Sequence, residues 1–322
     1  MSTNTTAAPE EIRVMMATTY LALSIIGIVP NILLGITLIQ KRGKLLQTCF
    51  FMLTTQILLC DLGELLTQII IAFPLSLYGK NIYDGEASIY VYYVVNIVDT
   101  ISYNGVLLFT FVVALNRISV FVWPKLQVLL FSHLSIWRTI LAVWCFIIIE
   151  VTGVNLLQCW KNFAYDEFYF FIKCYNNSYF SFYWLEFMRY QSFALPIIMF
   201  VVYILLFVHL RWNTPKRAKM TAAVSAKRKA EIKLLIQAVI ITVFLELQTL
   251  SFTFLPQVGT GYNKYYSSLA QNVISICNNS VNPYVYFLIN RQIRRDMIAL
   301  VCGKRKEEKK ITLTKAFDLT NI

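Results

Sequence analysis

Seven long apolar segments, a scarcity of charge and a one-sided distribution of Lys and Arg predict an all-α membrane protein. The fold they imply is a bundle of seven transmembrane helices with its N-terminus outside. Of the 322 residues, 57% are hydrophobic and 14% are charged, whereas roughly a quarter of a soluble domain is charged. Mean hydropathy is +0.59. A chain so poor in charge cannot give every element a water-facing side, so its core is shared with lipid.

A helix crosses a bilayer core with about 20 mostly apolar residues. Segments at approximately 17–39, 49–75, 89–113, 136–157, 191–210, 234–255 and 267–289 meet that length. They are too long and too uniform to alternate as barrel strands. No internal repeat or low-complexity linker divides them. The expected organisation is an outer tail (1–16), one seven-helix unit (17–290) and a basic inner tail (291–322). The polar, acidic opening "MSTNTTAAPEEIRVMM" lacks the basic stretch and short apolar core of a cleavable signal peptide, so the first span itself is expected to direct insertion.

Loop charge sets the orientation. With the N-terminus outside, 23 of the 29 Lys and Arg fall on the cytoplasmic side and 6 on the other, as cytoplasmic loops require. This accounts for the formal charge of +12 as attraction to anionic inner-leaflet lipid, with no nucleic acid partner. The sequons at Asn4 and Asn176 then face outward, where glycans are added. A third, at Asn278, is buried in the last span.

The first span carries Pro30 and Asn31. The second carries Asp61 near mid-depth, with Glu64 one turn away. Asn278 and Asn282 lie four apart on one face of the seventh. Asn31, Asp61, Asn278 and Asn282 at similar depth form an expected polar network, either purely structural or bistable. Water or a small cation, a sodium ion near Asp61, would complete it. Ionisable groups at such depth face the bundle interior. Glu64, Glu150 and Glu246 read as structural. Pro283 removes one helical hydrogen bond and frees the carbonyl of Asn279 for a neighbour.

On the outer half of the spans, Asn96, Asp99 and Tyr103 share a face of the third. Gln248 and Phe252 share a face of the sixth, and Gln271 and Asn272 begin the seventh. With the aromatic second outer loop they outline an apolar pocket with a few polar anchors, suited to a small molecule. The two histidines are far apart, and no metal-ligand or nucleophile motif occurs. No enzyme chemistry is expected.

Asn282-Pro283-Tyr284-Val285-Tyr286 matches the Asn-Pro-x-x-Tyr motif of rhodopsin-like G-protein-coupled receptors. "INRQIRRDMIALVC" follows it like that family's short amphipathic eighth helix. "ALNRISVFV" resembles the Asp-Arg-Tyr motif, with Arg117 at the arginine position, and Trp144 and Pro196 stand at landmark positions. The departures are specific. Asn116 replaces the acid, Ile118 the tyrosine, and the sixth span lacks Cys-Trp-x-Pro. The usual cysteine at the outer end of span three is missing, whereas "CWKNFAYDEFYFFIKC" puts Cys159 and Cys174 in the second outer loop. This combination resembles the nematode serpentine chemoreceptors, with the Srx family and its relatives nearest.

The resemblance implies a plasma-membrane chemosensory receptor, sited in sensory neuron cilia, that binds an external small molecule and activates a heterotrimeric G protein. Arg117 would meet the G protein, restrained at rest by Glu231, with Asn282, Pro283 and Tyr286 relaying the change. Alternatives are an aminergic or peptide-type neuromodulator receptor, or a seven-helix transporter. Asp99 stands eighteen residues before Arg117, where aminergic receptors keep their amine-pairing aspartate. Otherwise it pairs within the protein, with a neighbour such as Arg189. Cys159 and Cys174 face an oxidising space, where a bridge persists, against the alternative of two unpaired thiols. Cys302, after the eighth helix, is a candidate for S-palmitoylation.

Overall fold

The computed structural model describes residues 8–40, 49–132, 134–175, 178–212, 222–258 and 263–302, with the side chains of 210, 222–231 and 234 excepted. The calls on Asn4 and Asn176 as glycan sites, and on Glu231 as a restraint, therefore lie outside what is described. Among the described residues, ten α-helices run in chain order: α1 Glu10–Gln40, α2 Cys49–Thr67, α3 Phe73–Tyr78, α4 Glu86–Phe121, α5 Pro124–Phe131, α6 Ser135–Leu156, α7 Tyr179–Trp212, α8 Ala222–Val258, α9 Asn263–Ile289 and α10 Arg291–Val301. The second span is α2 and α3 joined by a π-helical turn, Gln68–Ala72.

Six helical stretches among the described residues are long and apolar enough to cross a membrane. The seventh member of the bundle, α9, falls short of that measure because its inner face carries Asn272, Asn278, Asn279 and Asn282, all buried. Lipid sees the opposite faces: Ile25, Ile26, Val29 and Ile32 of α1, or Ile148 and Ile149 of α6. Helices extend past the apolar windows that predicted them. The first begins at Glu10 rather than 17, with Glu10 and Glu11 in its first turn, where acidic groups complement the helix dipole.

Beside a small cluster of Ile241, Val281 and Val285, two large ones make up most of the core. One lies toward the α10 end, where Leu34, Leu53, Phe109, Val113, Tyr203, Leu206 and Tyr286 pack together. The other joins α1, the π turn and α9 at the opposite end, around Tyr20, Leu65, Ile71, Phe168 and Ile276. Close approach of α2 to α4 depends on small residues. A Cβ on Gly63 would collide with Ser102 Oγ, and one on Gly105 with Cys60 Sγ. Such packing holds helices together where lipid removes the hydrophobic drive.

Each proline kink inside α1, the second span and α9 has a caretaker. Pro30 leaves the Ile26 carbonyl without its helical donor, and Tyr284 Oη donates to it at 3.0 Å. Pro283 does the same to the Asn279 carbonyl, which takes Asn31 Nδ2 at 3.0 Å. Pro74, just after the π turn, frees the Ile70 carbonyl, and Tyr83 Oη donates there. Backbone groups freed at membrane depth need partners of this kind.

The sequence reading holds no strand, yet the loop between α6 and α7 folds as an antiparallel hairpin, β1 Cys159–Ala164 with β2 Tyr169–Cys174. Cys159 and Cys174 face each other at its base and form a disulfide. At its tip, Phe168 adopts φ 63° and is fully buried. Bulky residues rarely take that conformation. Burial of the ring and acceptance at its carbonyl, from Asn272 Nδ2 at 2.8 Å and Tyr20 Oη at 3.3 Å, hold it there. At the other end of the bundle, Asn290 caps α10 through the N–H groups of Gln292 and Ile293. Ile293 and Met297 point inward, and the helix packs on α1 and α9.

Candidate functional site

A cavity of about 570 Å³ lies under the hairpin, between α4, α7, α8 and the π turn, with Glu64 and Ser275 among its lining. Its lining mixes polar side chains with aromatic and aliphatic ones, among them Phe170, Phe171 and Ile172 of β2, Met188 of α7 and Phe252 of α8. Pockets of roughly 300–1,000 Å³ with such walls suit small molecules. Of the predicted ligand residues, Asp99, Tyr103, Gln248 and Phe252 line it.

The other three do not. Asn96 is buried and donates to the Tyr92 carbonyl of its own helix at 2.9 Å. Asn272 is spent on the hairpin: besides Phe168 it meets the Ser268 carbonyl at 2.9 Å and Tyr20 Oη at 3.3 Å. Gln271 is buried beside it. Asn96 of α4 and Gln271 and Asn272 of α9 are all absent from the lining, so membership of the outer half of a span is not membership of the cavity.

Asp99 has a partner that the sequence did not suggest. Lys161 Nζ, from the hairpin, forms an ion pair and hydrogen bond with Asp99 Oδ2 and lies 5.0 Å from the Phe170 ring centroid. Arg189 instead meets Glu186 at 3.4 Å. The hairpin is tied down at its tip too, by Lys264 Nζ to Glu167 Oε1 at 3.1 Å. Burial lowers the Lys264 pKa, but the bond and charge of Glu167 outweigh it and hold the ammonium above its usual range.

Below the cavity, polar groups continue along α9. Gln248 Nε2 donates to Ser275 Oγ at 3.0 Å and to Glu64 Oε2 at 3.3 Å. Asn278 Nδ2 donates to Gln248 Oε1 at 2.6 Å, and Asn279 Nδ2 to Glu64 Oε2 at 2.8 Å. One turn on, Asn282 Nδ2 donates to Asp61 Oδ2 at 2.6 Å. The predicted network of Asn31, Asp61, Asn278 and Asn282 is thus not one cluster. Asn282 meets Asp61, Asn278 meets Gln248, and Asn31 meets the Gly27 and Asn279 carbonyls at 3.0 Å each. Asn31 Oδ1, Asp61 Oδ1, Glu64 Oε1 and Asn279 Oδ1 are buried without hydrogen-bond partners among the described residues. Glu150 is buried and takes Gln191 Nε2 at 3.4 Å.

The line ends near Arg117. Tyr286 Oη shares a hydrogen bond of 2.7 Å with Thr54 Oγ1. Its ring lies 6.1 Å from Phe50, over which the Arg117 guanidinium sits at 4.2 Å. Arg117 itself is buried. Asn116 Nδ2 donates to Gln127 Oε1 of α5 at 3.3 Å, joined there by Ser119 Oγ at 2.6 Å. Asn116 therefore braces α4 against α5. Cys302 is exposed directly after α10.

Two residues the sequence reading left out of the site belong to its geometry. Glu64 was legible as an acid within a span, which ordinarily faces the interior. Lys161 gave no signal, because a loop position between two cysteines carries no depth.

The family model for the serpentine type 7TM GPCR chemoreceptor Srx matches residues 21–290. No curated protein matches the chain. Among solved structures, the crystal structure of squid rhodopsin is similar at 17% identity and a TM-score of 0.72, covering 92% of this chain and 87% of that one. At that identity the likeness speaks for the fold.

Proposed function

Because the chain belongs to the Srx family of serpentine seven-helix G-protein-coupled chemoreceptors, we propose that it binds an external small molecule in the cavity beneath the hairpin and activates a heterotrimeric G protein at the α10 end. In this reading the hairpin end faces outward, residues 1–16 form an outer tail, 17–290 the receptor unit and 291–322 the inner tail. The cell is a sensory neuron and the membrane that of its cilia.

The observation that carries the reading is a row of buried polar residues on α9 whose two ends stand at the cavity and beside Arg117. Gln248 and Glu64 line the cavity, and both are hydrogen-bonded to the α9 row that runs to Tyr286 beside Phe50 and Arg117. A ligand that shifts α8 against α9 must rearrange these buried bonds, because an unmade one is costly. The rearrangement would reach the Asn282–Pro283 kink and then the α4 terminus. Arg117 would be the residue exposed to the G protein. Glu231 would be its resting partner, and Asn116 holds Gln127 where the family's usual acid would restrain the arginine. Asp61 would take a sodium ion. The Asp61 Oδ1 atom is buried and unpartnered among the described residues, a hard oxygen of the type such cations take.

The test is an odorant panel on cells expressing the chain, read as a second-messenger or calcium response. A response is expected that Arg117→Ala removes while surface expression survives. Substrate flux without G-protein dependence would overturn the reading in favour of a transporter.

A further inference from the structure

We infer that Glu64, and not Asp99, is the ligand's ionic anchor, so that the ligand class is a small amine with an apolar body. This rests on the cavity being the ligand site, as proposed above. Five formally charged side chains line it: Glu64, Asp99, Lys161, Glu186 and Arg189. Four of them cancel in pairs, Lys161 with Asp99 and Arg189 with Glu186. Glu64 is left over, and no cation forms an ion pair with it among the described residues.

Its setting addresses one carboxyl oxygen and supplies no cation. Glu64 is 4% exposed. Its Oε2 accepts from Asn279 Nδ2 at 2.8 Å and Gln248 Nε2 at 3.3 Å, and N–H donors of that kind favour a carboxylate. Its Oε1 is buried with no partner. A buried carboxylate without a counter-charge is strongly disfavoured, and a ligand ammonium that meets the Glu64 side chain from the cavity supplies that counter-charge.

Asp99 cannot serve as readily. The ammonium it already holds belongs to Lys161 of the hairpin, whose base is closed by Cys159–Cys174. A tethered partner competes at an effective concentration of order millimolar or above, so a free amine loses at Asp99 and wins at Glu64. The walls choose the rest of the ligand. Phe170, Phe171 and Phe252 offer rings to an apolar body and, through their faces, to a cation.

The experiment uses the full chain in lipid nanodiscs. The probes are 2-phenylethylamine and hexylamine, each against its alcohol, 2-phenylethanol and 1-hexanol, with affinity read by calorimetry. On the wild type at least one amine is expected to bind about tenfold or more tighter than its alcohol. Glu64→Gln keeps the oxygen that Asn279 and Gln248 address but removes the charge, and should bring the amine down to the alcohol's affinity. Asp99→Asn should retain the amine's advantage. The wild-type ratio stands as a test even where a variant fails to fold. Two amines that both bind no better than their alcohols overturn the inference, as does an advantage lost in Asp99→Asn and kept in Glu64→Gln. Amines and alcohols that bind equally on the wild type, and that Phe252→Ala weakens alike, would overturn the amine class while leaving the cavity as the ligand site. Failure of the receptor reading would show separately, as silence to the whole odorant panel.

Discussion

Asn31 and Tyr284 stand in the same relation to two different prolines, and they should not matter equally. Asn31 Nδ2 serves the Asn279 carbonyl, fully buried between α1 and α9. Tyr284 Oη serves the Ile26 carbonyl at the lipid-facing rim, where the tyrosine is 41% exposed. A buried backbone carbonyl left open costs about 1–3 kcal/mol, and a rim bond contributes about 0.5–1.5 kcal/mol. Asn31→Ala should therefore lower the thermal midpoint in nanodiscs clearly more than Tyr284→Phe does. Equal shifts would mean that the freed carbonyls find other partners. The unpartnered Oδ1 of Asp61 makes a second claim at this scale. Sodium chloride should raise the midpoint above that in choline chloride, and Asp61→Asn should erase the difference. Of these particulars, the freed Asn279 carbonyl was legible in the sequence, because a proline in a helix always leaves one. Its partner was not. Asn31 is 248 positions away, and nothing local points to it.

At the scale of elements, the hairpin is the part of the molecule on which the site most depends. Its disulfide closes the hairpin on itself, so the hairpin is joined to the helices by Lys161–Asp99, Lys264–Glu167 and the Phe168 carbonyl rather than by a covalent bond to α4. Closing a loop of about 15 residues contributes roughly 3 kcal/mol on the chain-entropy estimate. The Cys159→Ser/Cys174→Ser double variant should lose stability of that order locally. The measurement is hydrogen exchange over 159–174, where faster exchange is expected with the helices unchanged. Unaltered exchange would mean that the bundle contacts alone hold the hairpin. The two cysteines were legible, but the strands between them were not. Their aromatic residues suit a strand and an irregular loop equally well, and what selects the strand is the closure of both ends and the Phe168 seat between α1 and α9. The π turn was likewise invisible, although Pro74 beside it was plain.

For the whole molecule, the open claim is orientation. An epitope tag ahead of residue 8 should stain intact cells, whereas one after residue 302 should stain only permeabilised cells. The reverse pattern would invert the cavity and the proposed G-protein face together. The sequence by itself determined the bundle: the number of spans, the proline kinks, the basic side and the Srx motifs around Arg117 and Asn282. These follow from hydrophobic run length, backbone chemistry and short local patterns, all written in consecutive residues. Only the tertiary structure decided which polar groups meet. Helical spacing assigns a residue to a face, but the rotation and tilt of each helix, and the fold of a loop from elsewhere, decide what that face touches. That is why Asp99 is held by Lys161 rather than Arg189, why the four-residue network divides between Asp61 and Gln248, and why Glu64 is left in the cavity without a cation.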